Sequence, residues 1–151
     1  MLTRFLVYGA MGWCIEVVFT GVCAALFEKD RAATGKTYLW MHPIYGITAL
    51  GLETVHDQLA AAHWILRGLC DVVIIFGAEY ASGMVLKRVL GKCPWDYAGK
   101  GLHVSGLIRL DYAPAWFVAG LLFEPLRGLV TAFVAAPALI HAVARLGGVP
   151  S

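Results

Sequence analysis

Apolar residues run along this chain in long blocks divided by short polar stretches. Phe5 to Phe27 is the first block, with Glu16 near its middle, and Glu28 to Thr37 is a charged loop. Leu39 to about Leu59 follows, opened by His42-Pro43; proline is tolerated in the first turn of a helix. Asp57 to His63 is a short connection. Trp64 to Leu90 is the longest block and carries Asp71 and Glu79. Gly91 to Gly106 is polar, and Leu107 to Leu126 and Gly128 to Ala144 complete the pattern, interrupted by Pro114, Pro125 and Pro137. A helix that crosses a bilayer needs about 20 mostly apolar residues. The pattern therefore predicts an all-α, polytopic membrane bundle of five transmembrane helices, one domain over residues 1–151. Four helices plus a re-entrant segment is the alternative, since such backbone is admissible where protein or water satisfies its polar groups.

Composition agrees. Hydrophobic residues make up 60% of the chain and charged residues 15%, against roughly 45–50% and about 25% in soluble domains. The net charge of +2 comes with no basic face, so nucleic acid is not an expected partner. The first block lacks a small-residue cleavage site and extends past Glu16, which reads as a retained helix and not a removed signal. Cys14, Cys23, Cys70 and Cys93 show no CxxC spacing, which suggests neither a disulfide framework nor a zinc site. His42, His56, His63, His103 and His141 are scattered without an HExxH pair, so no metal or cofactor is expected. Ala33-Thr34-Gly35-Lys36-Thr37 imitates the end of a phosphate-binding loop, but the pattern requires glycine where this chain has Asp30. No strand precedes it, so no nucleotide-binding domain is expected on this chain.

With five spans, Lys29, Arg31, Lys36, Lys87, Arg88, Lys92, Lys100, Arg109 and Arg145 fall on one side, nine against Arg4, Arg67 and Arg127 on the other. Positive residues favour the cytoplasmic side. That predicts a multi-pass protein of the plasma (inner) membrane with its N-terminus outside and the Cys93–Tyr97 loop in the cytoplasm.

Acidic residues in the blocks carry the candidate chemistry. One at mid-bilayer costs about 2.5–3.5 kcal/mol on insertion scales and normally faces a bundle interior. Helical spacing puts Gly9, Gly12, Glu16, Thr20 and Cys23 on one face, and small residues there allow close helix approach. Gly46, Ala49, Glu53 and His56 share a second face, and Trp116, Gly120 and Glu124 a third. Asp71 stands four residues after Arg67, a spacing for a local ion pair, and Glu53 lies near enough to a helix end to snorkel. The expected picture is one carboxylate per helix converging on a central polar space. The structural counter-reading is that they pair with arginines, tyrosines or backbone donors and hold the helices in register. Most tryptophans near block ends read as interface anchors. Trp95 and Tyr97, which flank Asp96 in the polar stretch, are exempted.

Several separated motifs, in one order, resemble a family of small membrane proteins. They are Gly12-Trp13 followed by Glu16, Pro43-Ile44-Tyr45-Gly46, Glu79, Trp95-Asp96-Tyr97, Gly106, Leu110, Trp116 and Glu124. The family includes transmembrane protein 229 of animals and bacterial CmpB-like proteins of ABC-transporter type IV. The resemblance runs from about Phe5 to Arg127 and implies a multi-span membrane fold. It draws attention to Glu16, Tyr45, Glu79, Asp96 and Glu124 and implies no substrate. Many bacterial members carry Asn where this chain has His103.

Together these readings predict an acidic intramembrane site, capped by the Trp-Asp-Tyr loop, that transports or binds a small molecule or lipid in the manner of a permease. The expected ligand-binding residues are Glu16, Tyr45, Glu79, Trp95, Asp96, Tyr97, His103, Arg109, Trp116 and Glu124. Membrane lipids, a second copy of the chain or a membrane partner protein are the expected partners. An accessory subunit, or a membrane enzyme acting on a lipid or isoprenoid, are the alternatives.

Overall fold

The structure is a computed structural model that describes residues 1–99 and 101–146, with side chains described through Pro137. Lys100 and the side chains of His141 and Arg145 therefore lie outside the described residues. Four helices dominate: α1 (Leu2–Phe27), α2 (Met41–Gln58), α3 (Trp64–Leu90) and α4 (Ala113–Leu146). Between α3 and α4 lies a small antiparallel hairpin of β1 (His103–Val104) and β2 (Ile108–Arg109), pairing His103 with Arg109 and Val104 with Ile108. A 3-10 turn (Leu110–Tyr112) leads into α4.

Local chemistry sets most boundaries. Pro43 and Pro114 each lie in the first turn of their helix, where a missing N–H leaves no intrahelical bond unmade. His63 caps α3, its ring accepting from the Ile65 amide. Gly91 ends α3 in the left-handed conformation (φ 74°), the common glycine stop. Lys87 and Arg88 occupy the last turn, where cations oppose the exposed carbonyl ends.

The polypeptide is a multi-pass membrane protein, and α1, α3 and residues Leu110–Pro137 are long and apolar enough to cross a membrane. Their surfaces suit lipid. α1 buries only Tyr8, Gly9, Gly21 and Ala24, and Val18, Phe19 and Leu26 are mostly exposed. The interior core joins Tyr8, Ala49, Leu52, Phe123 and Val130.

Two departures from the hydropathy pattern matter. The runs Leu107 to Leu126 and Gly128 to Ala144 do not form two helices: residues 107–112 belong to the hairpin and turn, and α4 passes through Pro125 and Gly128 without a break. A proline inside a helix removes one backbone bond, which membrane helices tolerate, and Arg127-Gly128-Leu129 offers no capping side chain to start a new helix. Second, α2 has 18 residues and begins at Met41, and it is not among the helices apolar enough to cross alone. Residues before it fold back along the second half of α1. The Lys36 amide donates to Thr20 Oγ1 (2.8 Å), the Trp13 indole donates to the Tyr38 carbonyl (2.9 Å), and the Thr37 hydroxyl donates to Glu16. Gly21 and Gly35 permit this approach: a Cβ on either would fall 2.6 Å or less from a backbone oxygen of the facing segment. Side chains of α1 thus supply the hydrogen bonds that an extended backbone lacks.

Candidate functional site

The polar side chains of the bundle fall into two separate clusters, not one central space. The first lies toward the hairpin. Glu16 of α1 accepts from Thr37, and the Tyr45 hydroxyl of α2 approaches the same carboxylate. The Tyr45 ring lies on Gly12, where a Cβ would fall 2.4 Å from the ring carbons, so the small residue is what lets Tyr45 reach Glu16. Glu79 of α3 faces the indole of Trp116 on α4. Glu79 Oε2 and Trp116 Nε1 are both sealed from solvent and neither has a partner.

Tyr97 enters from the loop and stands near Glu79, Tyr112 and Arg109. Its ring meets Tyr112 edge-on at 6.1 Å, and Tyr112 meets Trp116 edge-on at 6.2 Å, the geometry that aromatic quadrupoles prefer. Arg109 lies over the Tyr112 ring, 4.2 Å from its centroid, and donates to the Tyr112 hydroxyl (3.0 Å) and to Asp111. Burial, reinforced by the nearby Glu79 charge, pushes the Tyr97 phenol well above its ordinary range. The shift lies in the direction that keeps the phenol a neutral donor, as an ordinary tyrosine already is at physiological pH.

The loop is built around its own side chains. The Trp95 indole donates to the Leu107 carbonyl (3.0 Å) and its ring rests near Gly83 of α3. Asp96 is exposed and accepts from the Ala98 amide (2.8 Å), an Asx turn. The Tyr97 amide donates to the Gly106 carbonyl (2.9 Å), and the His103 ring nitrogens face the Gly106 and Gly99 amides at 3.3 and 3.4 Å. Gly106 adopts a left-handed φ of 70°, and a Cβ there would meet Asp96 Oδ1 at 2.8 Å. Trp95, Asp96 and His103 thus shape the loop that carries Tyr97.

The second cluster occupies the opposite end. Glu53 is 5% exposed, accepting from Arg4 Nη1 (2.9 Å) and from the Tyr8 hydroxyl; it does not snorkel. Asp71 does not pair with Arg67. It is fully buried, with both carboxylate oxygens 3.0 Å from His56 Nε2. His56 is buried, and its Nδ1 faces Glu124 Oε1 at 3.3 Å. Arg67 Nη1 meets the same Glu124 oxygen at 3.0 Å, and Arg127 pairs with Asp57. Gly120 packs on Asp71, where a Cβ would fall 2.4 Å from the aspartate Cβ. Both nitrogens of His56 are taken, and among the described residues no group of three His, Cys, Asp or Glu side chains is arranged to hold a metal ion.

Of the residues singled out in the sequence, Glu16, Tyr45, Glu79, Tyr97, Trp116 and, at its rim, Arg109 come together. Glu124 belongs to the other end. Sequence reasoning passed over His56 as a partner of Asp71; the available signal was its place three residues after Glu53 on the small-residue face of α2. A family model described as "Putative ABC-transporter type IV" matches residues 3–143. No solved structure matches the chain.

Proposed function

Given that the chain belongs to the ABC-transporter type IV family, we propose that it is a permease-like protein that binds a small polar molecule or lipid head group among Glu16, Tyr45, Glu79, Tyr97 and Trp116, the chamber of this reading. The observation that carries this reading is the occurrence, in neighbouring side chains, of two buried polar atoms without a hydrogen-bond partner, Glu79 Oε2 and Trp116 Nε1. A buried polar group without a partner costs about 1–3 kcal/mol. A ligand that donates to the carboxylate and accepts from the indole removes both penalties at once. Glu16 offers a second carboxylate, and Tyr45 and Tyr97 offer hydroxyls. On this reading the Trp95-Asp96-Tyr97 loop, which brings Tyr97 beside Glu79, is the cap on that side.

The described basic residues at the loop end are Lys29, Arg31, Lys36, Lys87, Arg88, Lys92 and Arg109, against Arg4, Arg67 and Arg127 at the other. This bias supports a cytoplasmic loop and an N-terminus outside. The extended segment before α2, followed by that short helix, then acts as one discontinuous crossing, an arrangement that often frames transporter sites. A bundle this small calls for a second copy or a membrane partner to complete a transport path.

An accessory role is the second reading, favoured by the way Trp95 and Asp96 spend their polar atoms within the loop. Native mass spectrometry in mild detergent separates the two, comparing wild type with Glu16→Gln/Glu79→Gln. A lipid or small molecule retained by wild type and lost from the double variant is the expected result, and its mass identifies the class. Identical spectra with equal stability would overturn the chamber reading in favour of the accessory one.

A further inference from the structure

A cavity separate from the chamber lies where the C-terminal end of α3 meets the hairpin. Tyr80, Met84, Lys87 and Arg88 of α3 and Ser105 and Leu107 of the hairpin line a cavity of about 400 Å³. Its floor is apolar, since Leu107 is 4% exposed and Met84 forms a wall. Its rim is cationic. Among the described residues Lys87 and Arg88 have no acidic partner, and neither do Lys29, Arg31, Lys36 and Lys92; of these only Lys87 and Arg88 line the cavity. Ser105 is held at the hairpin tip with a left-handed φ of 54° and adds a hydroxyl to the rim.

What lies below the cavity narrows the choice of occupant. Leu69, Val73, Gly77, Tyr80 and Met84 follow one another at helical spacing along α3 and lead to Lys87 and Arg88. Leu69, Val73 and Met84 are exposed, and a Cβ on Gly77 would touch nothing. From Met84 back to Leu69 is fifteen residues of helix, about 22 Å. One leaflet of hydrocarbon is about 15 Å deep. The stripe is thus long enough to line the full depth of a leaflet, and Lys87 and Arg88 stand at its polar end, facing the cavity.

We propose that this groove holds an anionic phospholipid. Its phosphate sits between Lys87, Arg88 and the Ser105 hydroxyl, and one acyl chain lies along the Tyr80–Met84–Val73 stripe. With the loop end cytoplasmic, the lipid comes from the leaflet that carries anionic head groups. Each cation near such a surface favours an anionic lipid about five-fold, so removing both costs on the order of thirty-fold in retention.

The test is native mass spectrometry of the full chain in mild detergent, titrated with phosphatidylglycerol, with phosphatidylcholine and with glycerol phosphate. Lys87→Gln/Arg88→Gln is compared with Lys29→Gln/Arg31→Gln, which removes the same charge from the same end. Both pairs are exposed, and circular dichroism checks that each variant folds. The expected result is preferential retention of phosphatidylglycerol, reduced on the order of thirty-fold by the α3 pair and unchanged by the loop pair. An equal fall in both variants, or no preference over phosphatidylcholine, would overturn the site. Equally tight binding of glycerol phosphate would show that no acyl chain is recognised and would overturn it too. None of these outcomes depends on the chamber, because Glu16 and Glu79 are intact in every variant.

Discussion

Replacing Asp71 probes the most deeply buried polar contact of the bundle. Its carboxylate has no solvent exposure, and its two oxygens stand 3.0 Å from His56 Nε2. Breaking a buried pair from one side typically costs about 3–5 kcal/mol, because the remaining group is left uncompensated. Two features lower that figure. His56 keeps Glu124 on its other nitrogen at 3.3 Å, and polar contacts within membrane bundles average only about 0.6 kcal/mol, reaching about 1.7. We expect Asp71→Ala to destabilise by about 2 kcal/mol and Asp71→Asn, which keeps the shape and one acceptor, by about 1 kcal/mol. The assay is reversible unfolding of the purified protein in mixed detergent, followed by far-ultraviolet circular dichroism. A double-mutant cycle with His56→Gln should give a coupling of about 1 kcal/mol, since the two side chains touch. The cycle with Arg67→Gln should give less, since Arg67 reaches Asp71 only through Glu124 and His56. Additivity of Asp71→Asn with His56→Gln, or a stronger coupling to Arg67, would refute the assigned pairing and restore the local ion pair that the Arg67–Asp71 spacing invites.

Gly12→Ala should displace the Tyr45 ring and destabilise by about 1–3 kcal/mol, as overpacking does; the same unfolding assay should register it, and Gly128→Ala, which meets no neighbour, should not. Gly106→Ala forces a left-handed residue against Asp96 and should cost about 1–2 kcal/mol; faster hydrogen exchange at the Tyr97 amide would report it, and unchanged exchange would count against the loop assignment. The Thr34 hydroxyl, with the Ala32 and Thr34 amides, holds the Asp30 carboxyl below its ordinary range. A depressed folded-state value stabilises the turn above the unfolded titration point and is lost as pH falls through the folded one. Carboxyl-detected NMR should therefore show Thr34→Val moving the Asp30 titration upward, and no movement would exclude the hydroxyl as the cause.

The chain legibly carries its helices and its solvent. α3 begins and ends where the apolar block between His63 and Gly91 does, since capping and hydropathy act within a few residues. The small-residue faces of α1 and α2 are legible too. Gly9, Gly12, Glu16 and Thr20 face α2 and the segment before it, and Gly46, Ala49, Glu53 and His56 are all buried. Such faces depend only on a fixed turn per residue. The last third was less legible, because proline marks a candidate break while continuation through Pro125 depends on what surrounds the helix.

Pairing was decided by the tertiary structure alone. Spacing along one helix proposes Arg67 for Asp71, but their neighbours are set by how α2, α3 and α4 slide and rotate against one another. That register gives Asp71 to His56 and Glu124 to Arg67. It also separates the carboxylates into two groups: Tyr45 meets Glu16 near the start of α2, and Glu53 and His56 make their contacts about two to three turns further along the same helix. Which side chains share a helix face follows from sequence, because that geometry is local. Which faces meet, and at what height, follows only from packing the whole bundle at once.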